Sequence, residues 1–292
     1  MFNQVLKIVK KLLDSYNDKV DKNKKIILPD FVLPSRVNQR WAYSGIDYNY
    51  KDNNYPHPIS YQYNDRGFRD QPWPTDLTNS TWCLGDSFTV GIGAPIEHTW
   101  PHLLGNTINV SMDGASNQWI ARKAIRVLEE IKPKLMIIQW SFITRGESPD
   151  SSLSDEDRRL HFYNLDLTTA ELLNNFVALV DRVEQVKQTT RIIHSFIPNW
   201  VFGEYSVQAE WDKLRGPNWP VVPKELLNPF IEQELIKFGQ DGFFKTYIKL
   251  LNSIEYVPEL VKLDLARDNF HYGKITAQAF VANIIKLISA PG

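Results

Sequence analysis

Two short segments hold the residue types of nucleophilic catalysis. Gly85-Asp86-Ser87-Phe88-Thr89 follows directly on the apolar run 81–84, and Asp268-Asn269-Phe270-His271 precedes an amphipathic stretch over 274–288. A serine on a tight turn from strand into helix exposes its hydroxyl and can offer its own N–H to a developing oxyanion, while Gly85, Gly91 and Gly93 allow close backbone approach. A carboxylate three residues before a histidine can hold the imidazole tautomer while the other ring nitrogen faces a nucleophile. Each segment alone has a plainer explanation. Glycine, aspartate and serine are what any turn uses, and Asp268 and His271 read equally well as a turn residue and a surface residue. Together, at matching ends of an α/β pattern, they are far more specific. A rival site, His98 and His102 at zinc-ligand spacing, is interrupted by Pro101 unless that proline occupies a first turn, and no carboxylate–histidine set completes it. No metal site is therefore expected.

The elements that must position these residues are legible from hydrophobic period. From Thr81 onward, apolar runs at 81–84, 107–112, 134–140 and 190–197 read as strands, with amphipathic helices near 117–131, 168–187 and 274–288. That alternation predicts an α/β fold, a three-layer α/β/α sandwich whose central sheet is mostly parallel, with the serine loop at the carboxyl end of its first strand. The stretch 199–260, with Trp200, Trp211, Trp219 and several prolines, breaks the rhythm and reads as an insertion or lid. Residues 28–80 are rich in Pro, Tyr and Asn and predict short strands and loops wrapping the core. Ahead of them, Phe2, Val5, Leu6, Val9, Leu12, Leu13 and Tyr16 fall at helical spacing, so residues 1–16 predict an amphipathic helix, with a lysine-rich linker over 17–27. That stripe packs on its own domain, meets a protein partner or lies on a membrane interface. The domain boundaries expected are 1–27 and 28–292, the catalytic core being 81–292.

Composition narrows the function classes. The chain of 292 residues is 43% hydrophobic and 23% charged, which suits a globular domain with a sizeable core. Thirty-three basic residues against 34 acidic ones leave a formal charge of −1, so no general positive field exists to concentrate nucleic acid. The single cysteine, Cys83, excludes an intramolecular disulfide framework and reads as a buried structural thiol. Lys7, Lys10 and Lys11 interrupt the N-terminal apolar residues, so no signal peptide is expected, and no run approaches the ~20 apolar residues of a membrane span. The expectation is a soluble protein.

With these residues in view, the sequence resembles the SGNH/GDSL hydrolase superfamily over about residues 60–290, through the Gly85-Asp86-Ser87 loop and the Asp268-x-x-His271 loop. The segment Asn64-Asp65-Arg66-Gly67-Phe68-Arg69-Asp70 is similar to an N-x-x-G-F-R element preceding the nucleophile in many members, with Arg66 and Arg69 expected as salt-bridge partners rather than ligands. The resemblance implies Ser87 as nucleophile, His271 as general base and Asp268 as the group that orients it. It also implies an oxyanion donor from the glycine after the second strand. Asn109-Val110-Ser111-Met112-Asp113-Gly114 fits, so Gly114 takes that role beside the Ser87 N–H. The third block, G-x-N-D, is absent: the third strand runs Ile137-Ile138-Gln139-Trp140-Ser141. Asn117 is the nearest replacement for the missing side-chain donor and Ser141 the second, with helix capping an equal explanation of Asn117. The whole pattern, including His98-Thr99-Trp100-Pro101, is similar to SGNH-like proteins of aquatic bacteriophages, which implies a cytoplasmic or virion-associated location.

The function implied is a serine esterase acting through an acyl-enzyme on Ser87, without metal or organic cofactor. An O-acyl, especially O-acetyl, ester on a carbohydrate is the preferred substrate; lipid esters, thioesters and acyl transfer to a sugar hydroxyl are rivals. The alternative class is a non-catalytic glycan-binding or virion structural module on the same scaffold, with a protein partner docking through residues 1–16. The residues that bind substrate are not identified by the sequence.

Overall fold

The computed structural model describes residues 31–42, 59–150, 152–159, 167, 169–198, 241–258, 262–268 and 270–290. The expected N-terminal helix and linker, Asn269 and most of the 199–260 insertion, with Trp200, Trp211 and Trp219, lie outside them. The chain divides into two compact units, Met1–Phe31 and Val32–Gly292. The second carries everything below.

Four parallel strands form the central sheet: β3 (Thr81–Gly85), β4 (Thr107–Ser111), β5 (Leu135–Trp140) and β6 (Arg191–Phe196), in the order β4-β3-β5-β6. A separate antiparallel ribbon pairs β1 (Arg40–Ala42) with β2 (Ser60–Gln62). The helices are α1 (Ser87–Val90), α2 (Trp100–Leu104), α3 (Asn117–Glu130), α4 (Thr169–Val186), α5 (Asp241–Ser253) and α6 (Lys274–Ser289). Every strand and helix expected from the period after Thr81 is present, with ends displaced by at most one residue. Among the described residues no helix is long and apolar enough to cross a membrane.

The strand order explains the layers. The chain leaves β3 for β4 on one side, then returns across β3 to β5 on the other. Right-handed crossovers in opposite directions put the intervening helices on opposite faces of the sheet, and the reversal opens a crevice at the carboxyl end of β3. Strands covered on both faces are apolar throughout rather than alternating. Cys83, Ile137 and Ile193 are aligned in register and pack against Trp100 of α2 and Ala277, Phe280 and Ile284 of α6. On the opposite face Trp140 meets Phe176 of α4 edge-on, with ring centroids 5.2 Å apart. Cys83 is fully buried, and burial pushes its thiol well above the ordinary range, as expected of a structural rather than reactive cysteine.

Local chemistry sets the entrances to the site. Asn64 forms an Asx turn, its Oδ1 accepting the N–H groups of Arg66 (2.9 Å) and Phe68 (3.1 Å). The following Asp70 accepts the N–H of Asn109 (2.9 Å), covering a ladder donor on the edge strand β4. At the start of α6, Asp264 accepts the N–H groups of Ile275 (3.0 Å) and Thr276 (2.7 Å), so a distant carboxylate caps a helix whose own cap position is Gly273. A Cβ on Gly273 would lie 2.3 Å from that carboxylate, which is why the position takes no side chain.

Candidate active site

The turn that carries Ser87 is built by two small residues and one acid. β3 ends at Gly85, Asp86 is the N-cap of α1, and Ser87 is the first helical residue. Asp86 Oδ1 accepts the Phe88 N–H at 3.0 Å. A Cβ on Gly85 would fall 2.0 Å from Thr89 Oγ1, so only glycine lets the short helix fold back against its strand. As the first helical residue, Ser87 has an N–H with no intrahelical acceptor.

The structure brings Ser87, His271 and Asp268 together. His271 Nε2 lies 2.7 Å from Ser87 Oγ across 184 residues of sequence, and His271 Nδ1 is in close contact with Asp268 Oδ2. The second oxygen of Asp268 accepts the N–H groups of His271 and Phe270, both at 3.0 Å. Burial alone would raise the Asp268 carboxyl, but the donors from His271 and Phe270 outweigh it and hold the group below the usual carboxylate range. The imidazole is packed by Phe88, whose ring centroid is 4.6 Å away. With the carboxylate side held as acceptor, Nδ1 carries a proton and Nε2 is left to accept one from the serine.

Gly114 adopts the left-handed conformation, φ +71°, which accounts for glycine there, and its N–H has no partner among the described residues. The preceding Asp113 pairs with Arg36, whose Nε also donates to Glu156 at 2.8 Å. The turn carrying Gly114 is thereby tied to two other segments.

Asn117 is placed otherwise than expected. Both of its amide hydrogens are committed to carbonyls, those of Ser141 (3.1 Å) and Phe142 (3.2 Å), and its Oδ1 accepts the Ser141 N–H at 2.8 Å. No hydrogen is left for an oxyanion. Nor is Asn117 the helix cap: Ser116 fills that position and accepts the Trp119 N–H at 3.2 Å. The physical reason is that the chain leaving β5 presents unpaired backbone groups beside the start of α3, and an amide satisfies a donor and two acceptors at once. Ser141, the second candidate, is also engaged, donating to Asp86 Oδ2 at 2.7 Å.

Arg145 and the buried role of Asp86 are features that sequence reasoning missed. Arg145 Nη1 reaches Asp86 Oδ2 at 3.0 Å and Ser141 Oγ at 3.1 Å, beneath the turn that carries Ser87. Burial pushes the Asp86 carboxyl up, while Arg145, Ser141, the Phe88 N–H and nearby His271 all pull it back. A basic residue four positions after the serine that follows β5 was the available signal, though surface solvation was its ordinary explanation. Arg66 lies over the Trp73 ring, 4.7 Å from its centroid, and Arg69 donates to three carbonyls; ring and backbone contacts thus dominate where salt bridges were expected.

No family model and no curated protein matches the chain. Among solved structures it is similar to TesA, with 14% identity, coverage of 72% of this chain and 98% of that one, and a TM-score of 0.42. It is similar to the psychrotrophic esterase EstA from Pseudoalteromonas sp., with 15% identity, 72% and 96% coverage and a TM-score of 0.40. A carbohydrate esterase family 2 enzyme with a carbohydrate-binding domain from Corynascus thermopiles (Myceliophthora fergusii) is 13% identical, with 75% and 68% coverage and a TM-score of 0.42. What the site can do follows from its own distances.

Proposed function

We propose that this protein is a serine ester hydrolase. The observation that carries the reading is the continuous chain from Ser87 Oγ through His271 to Asp268, with a 2.7 Å contact at the nucleophile. Ser87 Oγ attacks the ester carbonyl as His271 Nε2 takes its proton. The tetrahedral oxyanion is met by the backbone N–H groups of Ser87 and Gly114. Collapse breaks the ester C–O bond, His271 returns the proton to the departing alcohol, and the acyl group stays on Ser87. Water then attacks the acyl carbonyl and loses a proton to His271; collapse breaks the bond to Ser87 Oγ, His271 returns the proton to that oxygen, and the acid leaves. None of these steps calls for a metal or an organic cofactor.

The preferred substrate is an O-acyl, especially O-acetyl, ester on a carbohydrate. Its support is the sequence resemblance and the tryptophans at 200, 211 and 219, whose faces suit sugar rings. The reading is tested with purified protein on p-nitrophenyl acetate and acetylated polysaccharides beside Ser87→Ala. Turnover abolished by the substitution is the expected result; equal turnover in both proteins would refute it. A second reading, a glycan-binding module that performs no turnover, is favoured by one observation: Asn117 and Ser141 are both occupied, which leaves two backbone donors for the oxyanion. Attachment to a partner or virion through residues 1–16 is a further part of this proposal, and deletion of residues 1–20 should alter assembly while sparing small-ester turnover.

A further inference from the structure

The acid of the triad rests on a loop that is gripped from behind by residues outside the catalytic segments. Asp268 packs directly on the backbone of Gly93: a Cβ added there, at φ +77°, would lie 2.9 Å from the Asp268 Cγ and Oδ1 and 2.9 Å from the Ala266 Cβ. The Gly93 carbonyl accepts the Arg267 N–H at 2.8 Å, so the residue just before the acid is tied to the same point. Loop 91–94 is therefore the floor beneath the carboxylate. It is also the direct continuation of α1, which begins at Ser87.

Two residues fix this loop. Arg69 is 2% exposed, and among the described residues its guanidinium is met by backbone oxygens, with Nη1 donating to the Val90 (3.1 Å) and Gly91 carbonyls and Nη2 to Ala94 (2.7 Å). A cation there satisfies carbonyls that the end of a helix leaves without intrahelical donors. The guanidinium also lies over the Tyr61 ring, 4.1 Å from its centroid, and the Tyr61 hydroxyl accepts the Gly93 N–H at 2.7 Å. One buried pair thus holds three carbonyls and one N–H within five consecutive residues.

We propose that Arg69 and Tyr61 are positioning residues for Asp268 and, through it, for His271. This inference rests on the serine hydrolase reading. The loop they grip joins the nucleophile helix at one end and supports the acid at the other, so one fixture sets both distances from the imidazole. Loosening it lets the carboxylate withdraw from His271 Nδ1, which weakens support for the imidazolium formed when Ser87 gives up its proton. The other titratable groups facing Arg69 are Tyr63 and Glu97, while Asp86 acts on His271 and Lys262 lies over Phe88 and Phe270.

The test compares wild type, Tyr61→Phe, Arg69→Lys and Arg69→Met in the full chain, reading kcat, KM and the pH profile of kcat/KM on p-nitrophenyl acetate, with labelling by a fluorophosphonate. Tyr61→Phe and Arg69→Met are expected to lower kcat by roughly 10–100-fold with KM within about threefold, and to move the acid limb of the profile down by about half a pH unit or more. Arg69→Lys, which keeps the charge but not the fork, should recover part of kcat. Should Arg69→Met not fold, Tyr61→Phe and Arg69→Lys decide the matter. An active wild type whose folded Tyr61→Phe and Arg69→Lys variants keep its kcat and its acid limb overturns the inference alone. A wild type that neither turns over the ester nor takes the probe overturns the hydrolase reading, and this inference with it.

Discussion

Replacing Arg145 by methionine removes the cation that, among the described residues, forms the ion pair with the buried carboxylate next to Ser87. Arg145 Nη1 lies 3.0 Å from Asp86 Oδ2, and the Asp86 residue is 0% exposed. Two unit charges ~4 Å apart at an effective dielectric of ~20 attract by about 4 kcal/mol. Breaking a buried pair from one side costs about 3–5 kcal/mol, because the remaining charge is left without compensation. The carboxylate can escape that cost by taking a proton. Burial already raises its titration in the native protein, and loss of Arg145 raises it further. A carboxyl whose native value lies above its unfolded value binds more protons when folded, so its contribution to stability falls as pH rises through that window. Arg145→Met should therefore cost about 3 kcal/mol at pH 8, or about 6–12 °C in melting temperature for a domain of this size, and markedly less at pH 5. Urea unfolding at both pH values measures this, with Asp86→Asn and the double variant completing the cycle. An equal loss at pH 5 and pH 8, or a double variant equal to the sum of the singles, would refute the reasoning.

Asn117→Ala should lose about 2 kcal/mol of stability while kcat changes less than about tenfold, because the amide staples the end of β5 to α3 rather than facing the oxyanion; a 10²–10³-fold fall in kcat at unchanged stability would contradict this. Burial pushes the half-buried Asp70 up to about 6, against the donors of Asn109 and Gln71. The native state then binds more protons than the unfolded state between about pH 4 and 6. Stability should fall by on the order of 1–2 kcal/mol as pH rises across that window and level off above it, and Asp70→Asn should flatten the slope in urea titrations.

The strands and helices after Thr81 were legible because burial on both faces of a parallel sheet imposes uninterrupted apolar runs, and covering helices impose the longer period. The pair Ser87 and His271 was legible for a similar reason: each stands where a strand or loop hands over to a helix, and residue type and position agree. Asn117 was misread because a sequence shows that an amide is near a turn but not which groups it satisfies. The unpaired backbone of Ser141 and Phe142, 24 and 25 residues away, is what claims it. Arg69 and Arg145 were opaque for a related reason. A buried guanidinium looks the same in sequence as a solvated one, and its partners here are carbonyls at 90–94 and a carboxylate 59 residues distant. Gly93 was read as permissive backbone, while its close approach to Asp268 exists only once the last loop has folded onto the first.

Phosphonylation of Ser87 is the most direct test of the central claim that Ser87, His271 and Asp268 form a working nucleophile. The full chain is incubated with a fluorophosphonate, and the modified residue is located by peptide mass spectrometry beside Ser87→Ala, His271→Ala and Asp268→Asn. The account predicts one adduct per chain on Ser87 in the wild type, none in Ser87→Ala, and strongly slowed labelling in the other two. A folded wild type that takes no probe, or one labelled as fast without His271 as with it, would contradict the claim.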